Sequence, residues 1–190
     1  IIFNGNGYDD SWIAEAEKRG LCNLKSTADA LPAYIAPKNV DLFVKHGIYT
    51  KEEIQARYEI HVENYTTVLT IEANTMVDMI KHDILPAVSG YATDLCERAD
   101  SKSACGVACK YEKETAAQVA QLTDELMDAC AKLENGIAAI PADAEAAMQY
   151  SHDVIVADMA AARAIADKLE TMTASEYWPF PVYSDMLFYV

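Results

Sequence analysis

The chain reads as an all-α protein: an antiparallel bundle of three long helices, preceded by short helices and closed by an extended aromatic strap. Three observations predict this. Between about residue 50 and residue 174, apolar side chains recur at three-and-four spacing over long uninterrupted stretches, the mark of amphipathic helices. Few helix stops interrupt those stretches, so the connections are short and successive helices fold back on one another. The last residues, 175–190, then abandon the period for a run of prolines and aromatics. At 190 residues the chain suits a single domain, 1–190, divided into a linker turn with short helices (1–49), a long-helix bundle (50–174) and a strap (175–190).

The amino-terminal elements are set by local signals. After Asn4-Gly5-Asn6-Gly7, Asp9 or Asp10 caps a short helix through Trp12, Ala14 and Ala16, with Lys18 and Arg19 in its last turn and Gly20 as its stop. Ser26 or Thr27 opens a second short piece, punctuated by Pro32 and Pro37. Asn39 to Lys45 gives a third, with Val40, Phe43 and Val44 apolar and His46-Gly47 as its end.

Thr50-Lys51-Glu52-Glu53 is a capping box, in which Thr50 bonds to the first turn and Glu53 reaches back, so a major helix starts there. Its apolar face runs through Ile54, Tyr58, His61 or Val62, Tyr65, Val68 or Leu69, Ala73, Met76, Met79 or Ile80, and Ile84. Pro86 interrupts the hydrogen-bond ladder, but Val88, Tyr91 and Leu95 keep the phase, so the helix is expected to continue towards Asp100. Val119, Leu122, Leu126, Cys130 and Leu133 mark a second long helix, with a stop expected near Asn135-Gly136. A third begins around Pro141 and Asp143 and uses Met148, Ser151, Ile155, Met159, Ala162, Ile165, Leu169 and Met172. Its many alanines, Ala157, Ala160, Ala161, Ala162, Ala164 and Ala166, read as a close-packing seam with high helix propensity.

Pro179 and Pro181 fix their own φ and bias Trp178 and Phe180 towards extended conformations, so the third helix cannot continue through them. Tyr177, Trp178, Phe180, Tyr183, Met186, Leu187, Phe188 and Tyr189 carry too much apolar area to leave in water, at roughly 25 cal/mol per Å². The strap must therefore pack on its own domain or on a neighbour. Tyr177, Trp178, Phe180, Tyr183, Leu187 and Phe188 are the candidate interface residues, because aromatics supply large anchors with polar handles.

Thirty acidic against fifteen basic side chains give a net charge of −15. Such a field repels phosphate backbones and anionic membrane surfaces, which argues against nucleic-acid or membrane partners. No apolar run approaches the ~18 residues of a membrane span, and Ile1-Ile2-Phe3 is too short for a signal-peptide core. Five irregularly spaced cysteines suit a reducing cytoplasm rather than a disulfide scaffold.

Motifs that carry chemistry are weak. Asn4-Gly5-Asn6-Gly7 imitates a phosphate-binding turn but lacks a third glycine and a Lys-Ser/Thr pair, and Asp9 and Asp10 would oppose an anion, so it reads as a linker turn. Cys105 and Cys109, with Cys96 nearby, have no histidine close in sequence to complete a zinc site, and read as a small apolar turn between helices. His46, His61, His82 and His152 form no Glu-x-x-His pair of the kind a di-metal bundle uses. No nucleophile elbow or His-Glu-x-x-His is present. Catalytic, cofactor and metal residues are therefore expected to be none in this segment.

Tyr177-Trp-Pro-Phe-Pro-x-Tyr-x-Asp-x-Leu-Phe188 resembles the carboxyl terminus of type III glutamine synthetases. Ile2-Phe-Asn-Gly-Asn-Gly-Tyr8 with Trp12 resembles the stretch joining that family's catalytic and carboxyl-terminal regions. Arg57-Tyr-Glu-Ile60, Glu63-Asn-Tyr65, Ile71-Glu-Ala73 and Leu85-Pro-Ala-Val88 resemble the family in between. The resemblance implies the carboxyl-terminal domain of a larger ligase. That parent would join ammonia to glutamate with ATP and Mg or Mn held in its catalytic domain, while this domain plays a structural, oligomer-docking role. Its partners would be the catalytic domain of the same chain and neighbouring subunits of a ring-shaped homo-oligomer. The alternative is a freestanding acidic helical interaction module; a third reading, regulation by nucleotide or glutamine bound here, has no residue that argues for it.

Overall fold

The computed structural model describes residues 4–187. Among them there is no β-strand, and helices make up the architecture. In chain order they are α1 (Asp10–Lys18), α2 (Thr27–Tyr34), α3 (Pro37–Lys45), α4 (Lys51–Met79), a π-helical segment (Ile80–Ile84), α5 (Leu85–Ala104), α6 (Lys110–Ala138), α7 (Ala144–Tyr150), a second π segment (Ser151–Ile155), α8 (Val156–Met172) and α9 (Tyr183–Leu187). The chain divides into two compact units, Ile1–Tyr65 and Thr66–Val190, and the division falls inside α4.

Local chemistry explains the helix ends. The Asp9 carboxylate accepts from the Ser11 N–H at 2.9 Å and caps α1, and Gly20, at φ 74°, ends that helical stretch in the left-handed region that favours glycine. The Ser26 hydroxyl caps α2 through the Asp29 N–H. Thr50 and Glu53 cap α4 reciprocally: the Thr50 N–H donates to the Glu53 carboxylate at 2.7 Å, and the Glu53 N–H to the Thr50 hydroxyl at 3.2 Å. In the first unit the core is small: Ala28, Ile54, Tyr58 and Val62 are buried, while α1 and α3 bury no residue completely. Tyr34, Phe43 and Tyr49 add ring contacts at 6.0 and 5.8 Å.

Pro86 interrupts the ladder without ending the helix. Its ring nitrogen has no hydrogen to donate, and the ladder ahead of it relaxes to wider bonds, with the Leu85 N–H reaching the Ile80 carbonyl five residues back. Helical backbone therefore runs from Lys51 to Ala104 in α4, the π segment and α5. The second unit's core is one cluster drawn from these helices together with α6, the second π segment and α8, with Val88, Val119, Leu126, Leu133, Ile155, Ala162 and Leu169 fully buried. α6 packs along both α5 and α8.

Two expectations are corrected here. Gly136 does not stop α6, which runs on to Ala138; the residue is buried, and a Cβ there would lie 3.3 Å from Ile155 Cδ1 and 3.4 Å from Asp158 Oδ2. Its smallness serves a close helix approach rather than a turn. The alanine seam of α8 is also narrower than expected: Ala162 is fully buried and Ala166 partly so, whereas Ala157, Ala160, Ala161 and Ala164 are exposed and contribute helix propensity alone.

The α5–α6 turn at Cys105–Cys109 is made by Gly106 at φ 71° and tied by a Ser103 Oγ to Cys109 Sγ contact at 3.2 Å. Lys102 at the end of α5 bonds the buried Glu112 in the first turn of α6. That hydrogen bond and the residue's own N–H hold the Glu112 carboxyl below the ordinary glutamate value of 4.5. A lowered carboxyl contributes stability above the unfolded value and loses it as pH falls through the folded one. Glu112→Gln should accordingly be less stable than the parent at neutral pH, with the gap closing below about pH 4.5. Urea unfolding on both sides of that value measures it, and a gap independent of pH would refute the assignment.

Candidate docking site at the carboxyl terminus

The carboxyl-terminal segment leaves α8 at Thr173, whose extended backbone (ψ 135°) ends the helix and whose hydroxyl donates to the Leu169 carbonyl at 2.7 Å. Tyr177 and Trp178 N–H groups both donate to the Ala174 carbonyl, making a tight turn that redirects the chain. Tyr177, Trp178 and Phe180 are half-buried and pack against the second unit's core. The Tyr177 ring lies 5.3 Å from the Tyr91 ring, centroid to centroid, and against Gly90, where a Cβ would meet it at 3.9 Å. Burial first, and then the neighbouring Asp94 carboxylate, push the Tyr177 hydroxyl up. The Tyr111 hydroxyl, 3.3 Å from that of Tyr91, combines with burial to push Tyr91 up to about 12. Tyr91 and Tyr177 thus keep their hydroxyl protons at neutral pH.

Trp178 and Phe180 stand edge to face, 6.1 Å apart at 79°. They close one end of a groove of about 500 Å³ whose other walls are α4, the first π segment and α8. Beyond them the extended course ends. The Asp185 carboxylate accepts from the Val182 N–H at 3.1 Å, and residues Tyr183–Leu187 coil into α9. The expectation of a strap extended to the last residue is corrected on that point: an acidic side chain three residues inside a helix start offers the backbone a local partner.

The sequence-predicted interface residues therefore divide. Tyr177, Trp178 and Phe180 gather on the core, whereas Tyr183 and Leu187 are 72% and 57% exposed. Phe188 lies outside the described residues. Met186, 64% exposed, belongs with the outer pair. What sequence reasoning missed is the groove. Its walls come from residues far apart in the chain, and the one local signal was the three-and-four run of Met76 and Ile80, which reads as core.

Among the described residues no three His, Cys, Asp or Glu side chains gather where they could hold a metal ion. His61 is edge-on to Tyr34, His82 faces Asp78, and His152 faces Asp153. The net charge of −15 opposes the approach of a triphosphate. No helix among the described residues is long and apolar enough to cross a membrane.

Comparison with known proteins gives the context. A family model described as the glutamine synthetase C-terminal domain matches residues 1–103. The chain is similar to a glutamine synthetase of Butyrivibrio fibrisolvens, 38% identical over 192 residues, and to a type-3 glutamine synthetase of Dictyostelium discoideum, 30% identical over 201 residues. It is also similar to a glutamine synthetase of Bacteroides fragilis at 24% identity over 201 residues. Each match covers 99% of this chain and 27% of the relative, so the chain spans about a quarter of the length of these curated relatives.

Proposed function

The chain belongs to the family of glutamine synthetase C-terminal domains, and from that premise we propose that it is the non-catalytic helical domain of a longer glutamine synthetase, serving to dock and brace the assembly. The observation that carries this reading is the pairing of nearly complete coverage of this chain with 27% coverage of its relatives. In the parent, ATP, glutamate and ammonia would yield glutamine through a phosphorylated intermediate, with divalent metals offsetting phosphate charge in the catalytic domain. No residue between Asn4 and Leu187 is assigned to that chemistry.

The architecture suited to such a role is an antiparallel bundle of three rods: α4 with its π segment and α5, then α6, then α7 with its π segment and α8. In the tail, Tyr177, Trp178 and Phe180 act as the internal anchor, and Tyr183, Met186, Leu187 and Phe188 form the docking tip for the catalytic domain or a neighbouring subunit of a homo-oligomer. The exposure of Tyr183, Met186 and Leu187, set against the half-burial of Tyr177, Trp178 and Phe180, supports this division. An acidic, freestanding interaction module would share the charge but not the similarity along 99% of the chain.

Antibody against this segment should precipitate a chain far larger than 20.9 kDa with ATP-dependent glutamine-forming activity. A fragment-sized, inactive band would sink the reading. For the tail, Trp178→Ala should cost about 1–3 kcal/mol of thermal stability, less than a fully buried Trp because the ring is half-exposed. Tyr183→Ala with Leu187→Ala should leave stability within about 0.5 kcal/mol while shifting the assembly in sedimentation. Equal destabilisation by both sets would assign the whole tail to the domain's own core.

A further inference from the structure

The groove closed by Trp178 and Phe180 has a chemistry of its own. Its floor is apolar: Ile71, Met76, Met79 and Ile80 on one side and Ala166 on the other, with Trp178 at the end. Ile71 is 60% exposed and Met79 37%, so the floor is left open to water. At about 500 Å³ the groove falls within the ~300–1,000 Å³ typical of ligand clefts. Two of the floor residues are methionines, whose unbranched thioethers adapt to an inserted side chain.

The rim carries charge of one dominant sign. Glu72 stands on α4, and Arg163, Asp167 and Glu170 stand on α8. Arg163 is already turned to Asp167, 3.6 Å away. Glu72 and Glu170 make no ion pair among the described residues. An apolar trough rimmed by unpaired carboxylates, in a chain of net charge −15, repels phosphates and other anions. It suits an apolar side chain flanked by Lys or Arg, which buries in the floor while its neighbours meet the rim. Along α4 the lining runs from Ile71 through Met79, and the π segment continues it to Ile84, roughly 20 Å at the helical rise. That length fits a peptide segment better than a compact metabolite.

We infer that this groove is a docking slot for a basic segment with one large apolar anchor, and that the segment lies in the part of the parent chain outside these 190 residues. The inference rests on the reading of this chain as one domain of a longer synthetase. It draws its occupant from the rim's charge and from the 73% of each relative's length that this chain leaves uncovered, the remainder of the 27% match.

The test uses the full-length protein carrying the photo-crosslinking residue benzoylphenylalanine in place of Thr75, which lines the groove and is exposed. Illumination should join it to a peptide of the same chain, outside the 190 residues, that contains Lys or Arg beside a large apolar side chain. In a Glu72→Lys, Glu170→Lys background with unchanged melting temperature, the yield should fall about fivefold or more. Cross-links confined to the 190 residues, joined to a different protein, absent, or indifferent to charge reversal would each overturn the proposal. Those results leave the parent reading standing when the precipitated chain still makes glutamine; a small, inactive precipitate removes the parent reading instead.

Discussion

Leu133→Ala is expected to lower the stability of the chain by about 2–5 kcal/mol, the range for truncating a fully enclosed leucine. The side chain has no accessible surface and sits on α6, the helix that packs along both α5 and α8. Removing it withdraws contacts from the shared core cluster rather than from one helix pair. Other members of the same cluster, among them Leu126, Cys130 and Ile155, are themselves buried and held on helical backbone, so the core has little room to close the void. Chemical denaturation should show a lower midpoint with an unchanged slope, the signature of lost stability without a changed unfolded state. Met127→Ala, on the exposed side of the same helix, should stay within about 0.5 kcal/mol. A loss below about 1 kcal/mol at Leu133 would mean that α6 does not hold this core together.

The positions of the helices were legible because their causes are local. Reciprocal bonds between Thr50 and Glu53, and Asp143 accepting from the Ala146 N–H, are written in residues three apart. The buried faces of α4, α6 and α8 likewise repeat at a spacing that any short window reveals. Gly136 was misread because its cause is distant: the signal that glycine ends a helix is local, while the need to admit Ile155 and Asp158 comes from another helix. The tail was half legible for a related reason. The prolines dictate the extended course at Trp178 to Pro181, but α9 depends on Asp185 reaching back to Val182. The groove could not be read at all, since Ile71 and Ala166 meet only once the rods have packed, and an apolar residue looks the same whether it fills a core or floors an open slot.

Gly136 also supplies the sharper test of how α6 meets the helix carrying Ile155. Gly136→Leu should destabilise by about 3 kcal/mol or more. The first added carbon already falls 3.3 Å from Ile155 Cδ1 and 3.4 Å from Asp158 Oδ2, and a leucine must place three further carbons in the same space. Ile155 is fully enclosed and cannot swing away. Asp158 is buried and paired with Lys132 at 2.7 Å, so displacing its carboxylate would strain an ion pair whose acidic partner has little access to water. Gly136→Ala separates the steric cause from the backbone one. Alanine gains up to about 1 kcal/mol of helix propensity and asks its neighbours to move only a few tenths of an ångström, so it should fall within about 1 kcal/mol of the parent. If leucine and alanine were equally tolerated in thermal unfolding, the close approach would not constrain the fold, and the absence of a side chain at 136 would have no packing role. If only leucine fails, the glycine sets the distance at which α6 can pack, and with it the spacing of the core on which Trp178 and Phe180 rest.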